Sequence, residues 1–158
     1  MTVKSDLSPA PPEPRGPKRS PSEEQCFRQI HPKFLLQKGR LTEMAFRLRD
    51  DEHGLSVSLQ SKTTAEKAFA LYTRPEQDGG KGLVACGTWA VTTAECLQET
   101  CDVYEDRTDI DEAHGSIDMR HLKNDKSRRK TVQTHLRLFA EKRGCIFSPG
   151  PMPVGIED

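Results

Sequence analysis

Charge of either sign in excess is the first thing this 158-residue chain lacks: 24 basic and 24 acidic side chains give a formal net charge of +0. No global field draws it to nucleic acid or to an anionic membrane, so any such affinity must come from local patterning. It also has no apolar run near the roughly 20 residues that cross a bilayer, and no apolar signal-peptide centre close to its N-terminus. A cytoplasmic protein without a membrane segment is the expectation. Aromatic residues make up only 6% of the chain, too few for an extended base-stacking surface. The five cysteines, Cys26, Cys86, Cys96, Cys101 and Cys145, form no CxxC pair and no even-numbered framework, so reduced and mostly buried thiols are expected. Cys96, Cys101, His114 and His121 are spaced too loosely for a structural zinc site, and no metal is expected. A nucleophile elbow, a nucleophile–base pattern and internal repeats are all missing.

What is present reads as one α+β domain: a small mixed or antiparallel sheet with two or three helices. Residues 1–22 form a proline-rich arm with Pro9, Pro11, Pro12, Pro14, Pro17 and Pro21. It has little apolar surface to offset the entropy of ordering, so a disordered arm is expected. The domain is expected over residues 23–148 and a flexible tail over 149–158.

Within the domain, Cys26 to Ile30 suits a strand ended by His31-Pro32, because proline biases its predecessor to extended geometry and cannot donate to a ladder. Ala45 to Arg49 fits a strand or a short helix. Leu55 to Leu59 alternates apolar and hydroxyl side chains, the period of a half-buried strand, with Ser56 and Ser58 on one face. Thr63 or Thr64 followed by Glu66 opens a helix that Pro75 stops. Leu83 to Val91 reads as a central strand, and Thr92 or Thr93 caps a short helix through Leu97. After an acidic stretch holding strands at Asp102 to Glu105 and Ser116 to Met119, the sign reverses. A long basic helix follows, with Val132, Leu136 and Phe139 at helical spacing, closed by Gly144 at a left-handed position.

Polar residues concentrate between Cys26 and Leu59. An arginine fork suits phosphate or carboxylate, so Arg28 and Arg40 brought together by a turn would clamp a pyrophosphate. Ser56 would add a hydroxyl, Glu66 a carboxylate, and His31 or His114 would transfer protons. The basic residues Arg128, Arg129 and Lys130 offer a surface for a protein partner. Tracking of nucleic-acid phosphates is the less favoured alternative, beside plain pairing with the acidic stretch.

Two resemblances bear on these residues. Phe27-Arg28-Gln29-Ile30-His31-Pro32, Gly39-Arg40-Leu41-Thr42, Ala45-Phe46, Leu55-Ser56-Val57 and His114-x-x-Ile117 together resemble the pattern of small uncharacterised bacterial proteins, over most of the chain beyond the arm. That resemblance carries no activity; it implies a bacterial multi-protein or conflict system as the setting. Arg28 in a first strand, Gly39-Arg40 in a loop and Thr64-Ala65-Glu66 at a helix start are more distantly similar to RES-domain toxins, an ADP-ribosyltransferase-like group acting on NAD. The similarity implies NAD as ligand, although the tyrosine expected after Gly-Arg is missing here. The expected function is a non-enzymatic accessory or interaction protein, with a nucleotide- or NAD-directed enzyme and a nucleic-acid binder as alternatives. Nothing in the sequence sets an oligomeric state.

Overall fold

The computed structural model describes residues 14–151 and residue 155. Strands β1 (Gln25–Ile30), β2 (Gly54–Leu59), β3 (Gly87–Thr92), β4 (Val103–Glu105) and β5 (His114–Asp118) form one antiparallel sheet in the order β3-β1-β2-β5-β4. Helices α1 (Ala65–Thr73), α2 (Thr93–Gln98) and α3 (Lys126–Arg143) complete an α+β fold.

Strand alternation decides what each face meets. Cys26, Ile30, Leu55, Val57, Leu59, Trp89, Val91 and Ile117 belong to the main core with Val132, Leu136 and Ala140 of α3. These three helical positions are four residues apart and form one stripe. Phe27 and Ala90, paired across β1 and β3, belong instead to a smaller cluster with Ala68 of α1. Each fully buried large apolar side chain, such as Phe46 or Leu136, contributes about 1.5–3 kcal/mol relative to exposure.

The helix starts are written locally. Thr64 Oγ1 accepts from Lys67 N, and Asp125 Oδ1 accepts from Arg128 N. Thr92 and Glu95 form a reciprocal capping box at the start of α2. Gly144 ends α3 at φ +88°.

One irregularity shapes the sheet. Between β1 and β2 the register holds only Cys26 opposite Leu59 and Phe27 opposite Ser58. Beyond that point β1 continues along β3 and β2 along β5, so the two strands part. Backbone carbonyls facing such a gap need another donor. Arg28 supplies it: Nη1 donates to Ser56 O at 2.9 Å, and Nε to Ala45 O at 2.8 Å. The guanidinium also lies over the Phe46 ring, 5.6 Å from its centroid.

Several expectations need correction. The arm does not extend as a free segment to residue 22. Residues 1–13 lie outside the described residues, but Lys18 bridges Tyr104, Arg19 N donates to Val103 O and Glu105 N donates to Pro17 O. Proline cannot donate to a ladder, yet its carbonyl accepts, and the exposed edge of β4 offers the donors. Leu83 to Cys86 is not strand. Lys81 N, Gly82 N and Leu83 N instead donate to Leu71 O, Arg74 O and Tyr72 O, closing the carbonyl end of α1 and leaving Leu83 and Val84 exposed. The Ala45 segment belongs to a short 3-10 turn, Glu43–Phe46, capped by the Thr42 hydroxyl. At the C-terminal end, Phe147 bridges Thr88. Of the expected tail, residues 152–154 and 156–158 lie outside the described residues.

Candidate functional site

The parting of β1 and β2 opens a cavity of about 670 Å³, within the range of small-molecule sites. Its lining joins β1 and β2 to the Met44–Glu52 segment, to Tyr72 of α1, to Lys81–Val84 and to His114. Arg28, His31, Ser56 and His114, four of the six side chains singled out in the sequence, all line it. Arg40 and Glu66 do not. Arg40 is exposed and follows a turn through Lys38 and Gly39, both at positive φ, while its neighbour Leu41 takes the inward position at 1% exposure. Glu66 is exposed in the first turn of α1. The expected Arg28–Arg40 clamp is therefore not assembled in this cavity, whereas Arg47 lines it together with Arg28.

The charges of the lining are unequally compensated. Lys81 Nζ is paired with Asp111 Oδ2 at 2.5 Å, and Arg49 Nε with Glu52 Oε1 at 3.5 Å. Among the described residues, Arg47 has a polar contact with the Met44 sulfur at 3.3 Å, and Arg28 with the two carbonyls and the Phe46 ring. Neither has a carboxylate within ion-pair distance among the described residues. Loss of water around the Arg28 head pulls its pKa below the ordinary arginine value, opposed by the more distant Glu52 charge. It still carries its charge at neutral pH. Beside it, Gln29 Oε1 accepts from Thr88 Oγ1 at 2.6 Å, while Gln29 Nε2 is buried with no acceptor among the described residues.

The two histidines present opposite functions. His31 Nδ1 accepts from Lys33 N, so its neutral ring carries the proton on Nε2. His114 Nδ1 lies 2.7 Å from Asp106 O, an acceptor only, so it must be the donor and leaves Nε2 as the basic nitrogen. No hydrogen bond joins either ring to Ser56 among the described residues, and Ser56 has no nucleophile–base partner. The arrangement can bind an acceptor-rich, negatively charged group; it does not form a covalent-catalysis pair.

Sequence reading missed Arg47, Gln29, Tyr72 and the Lys81–Val84 wall. A signal for Arg47 existed in Ala45-Phe46-Arg47-Leu48-Arg49, where Ala45, Phe46 and Leu48 are buried and the two arginines are exposed. The approach of residues 81–84 to this face depends on the Lys81–Asp111 pair and the α1 carbonyls, a long-range relationship no local pattern encodes.

Of the basic residues of α3 singled out for a partner, Arg129 and Lys130 line a common cavity and Arg128 does not. Arg128 Nη2 donates to Thr100 Oγ1, Arg129 Nη1 donates to the carbonyls of Leu122 and Lys123, and Lys130 is exposed. Successive helical residues turn by about 100°, which sets Arg128 apart from the side that Arg129 and Lys130 border. The acidic stretch does supply α3 with counterparts in part: Arg143 forms two bonds to Glu95, and His135 meets Glu99 at 2.6 Å. All five cysteines are free thiols, and among the described residues no three His, Cys, Asp or Glu side chains are grouped as metal ligands. No helix among those residues is long and apolar enough to cross a membrane. No protein-family model matches the chain, and neither a curated protein nor a solved structure does.

Proposed function

We propose that this protein is a binding module for an anionic small molecule of nucleotide type, with NAD among the ligands to be tested, seated where β1 and β2 part. The observation that carries this reading is the Arg28 guanidinium, fixed in the cavity wall by two backbone carbonyls and left without a carboxylate among the described residues. A cation already oriented, and partly desolvated, binds an anion at reduced ordering cost. Arg47 adds a second cation with no carboxylate partner among the described residues, and His31 lines the same wall. Phe27, Phe34, Tyr72, Leu83 and Val84 supply apolar and aromatic walls suited to a planar ring.

Ligand-observed and protein-observed NMR with ADP, NAD and adenosine tests it. The phosphorylated ligands should shift the Tyr72, Leu83 and Val84 resonances saturably, and adenosine should bind about tenfold or more weakly, the value of one good charged contact. Tyr72→Ala, which leaves Arg28 and its carbonyls in place, should weaken the response. Equal binding of adenosine, or no shift at these residues with any of the three, would refute the assignment.

A further inference from the structure

The other side of the Arg47–Asp50 segment holds a smaller cavity of about 210 Å³, set against α3 and lined by Arg47, Lys126, Arg129, Lys130 and Arg137 with Gln133 and Thr134. We propose that it is a separate site for a phosphate dianion, either free or as a phosphomonoester.

Five cations meet there, and only Arg137 has a carboxylate partner among the described residues, Glu141 Oε2 at 3.1 Å. Glu43 and Asp50 also line the cavity, but both are exposed and neither forms an ion pair with the five. Lys126 and Lys130 stand one helical turn apart, where like charges disfavour the helix. A chain balanced overall at +0 has thus left four of these five cations without a carboxylate partner among the described residues. The donors are also held in place. Arg129 is anchored by Leu122 O and Lys123 O, and Arg137 by Leu41 O at 3.2 Å. Gln133 Oε1 accepts from Leu48 N at 2.7 Å, which commits the oxygen to the backbone and leaves its amide N–H groups as the donors. Arg137 Nε is buried and has no acceptor among the described residues. The lysine and arginine donors that line the cavity match an oxyanion, which offers three or four acceptors in a volume this small. The volume is too small for a nucleoside, which separates this site from the larger cavity although Arg47 and Asp50 border both.

The test is an amide-correlation NMR titration of the full chain with inorganic phosphate and with glycerol phosphate, each against sodium chloride at matched ionic strength. The Leu48 and Thr134 backbone amides and the Gln133 side-chain amide should shift saturably with a millimolar midpoint under phosphate and not under chloride. Lys126→Gln/Lys130→Gln, two exposed side chains, should raise the midpoint about fivefold or more without moving the Trp89 indole resonance that reports an intact core. Response to both phosphates assigns a phosphomonoester site, and response to inorganic phosphate alone assigns the free ion; either supports the proposal. Shifts no larger than those with chloride, or an unchanged midpoint in the double variant, would overturn it. These reporters lie on α3 and Leu48, so failure of the larger cavity to bind nucleotides leaves this result independent.

Discussion

Arg28 Nη1 lies 2.9 Å from the carbonyl oxygen of Ser56, and this bond spans the gap where the first two strands separate. The same guanidinium holds Ala45 O. Arg28→Met should therefore leave two carbonyls short of a donor and destabilise the fold by roughly 2–4 kcal/mol. Arg28→Lys keeps the charge but lacks the planar fork and should fall between the two. Urea unfolding of the three proteins checks the order; equal midpoints for wild type and Met would show that the bridge contributes nothing.

Acid should unlock the junction between α2 and α3. Burial alone would raise the Glu95 carboxyl, but its bonds to Arg143 and Thr92 N–H and the Arg143 charge outweigh it, so the folded pKa lies below the ordinary carboxylate value. Asp118 shows the same balance with Arg120 as its partner. A carboxylate depressed on folding lends stability that is complete above its unfolded pKa, and the contribution disappears as pH falls through the folded value. Stability should thus decline below about pH 4.5, near the unfolded carboxylate pKa. Glu95→Gln should flatten that decline, measured by thermal melts from pH 3 to 7. An unchanged slope would place the acid sensitivity elsewhere.

Thiol reactivity should follow burial. Cys26, Cys96 and Cys101 are inaccessible, and burial together with nearby Asp118 pushes the Cys101 thiol up to about 12. Cys86 and Cys145 are only partly buried, though burial raises both. Two thiols should react slowly with an aromatic disulfide reagent in the native protein and three only on unfolding. Mass spectrometry of the modified cysteines distinguishes this from uniform labelling.

Removing residues 1–22 should expose the hydrogen-bonding edge of β4. Arg19 bonds Glu24 and Glu105, and Pro17, Lys18 and Arg19 run along Val103 to Glu105. A bare edge strand invites pairing with another chain, so the truncated protein should melt lower and associate with rising concentration. Analytical ultracentrifugation reads this directly. A monomer of unchanged stability would mean that the segment is not structural.

Elements governed by neighbouring residues were legible in the sequence. The Leu55–Leu59 alternation, the threonine caps at Thr64 and Thr92, and the Val132–Leu136 stripe all specify their structure within one or two turns of chain. The site was legible in its parts: Arg28, His31, Ser56 and His114 were identifiable as polar groups embedded among apolar ones. Their assembly was not, since it depends on where β1 leaves β2, and pairing register across distant strands has no local signature. Arg40 misled for the same reason, because its orientation follows from Leu41 entering the core. Only the end of the arm, Pro17 to Arg19, was misread, because its ordering comes from main-chain groups of β4, to which side-chain composition is blind.

The sheet order also governs how quickly the molecule can form. β1 lies between β2 and β3, and its longest ladder joins residues about sixty positions apart, while the helix covering that ladder comes later still. Loop closure must precede most of the favourable contact, so refolding should occur on a millisecond-to-second scale rather than in microseconds. During synthesis the first strand emerges long before β3, and until residue 92 is available one of its edges stays unpaired.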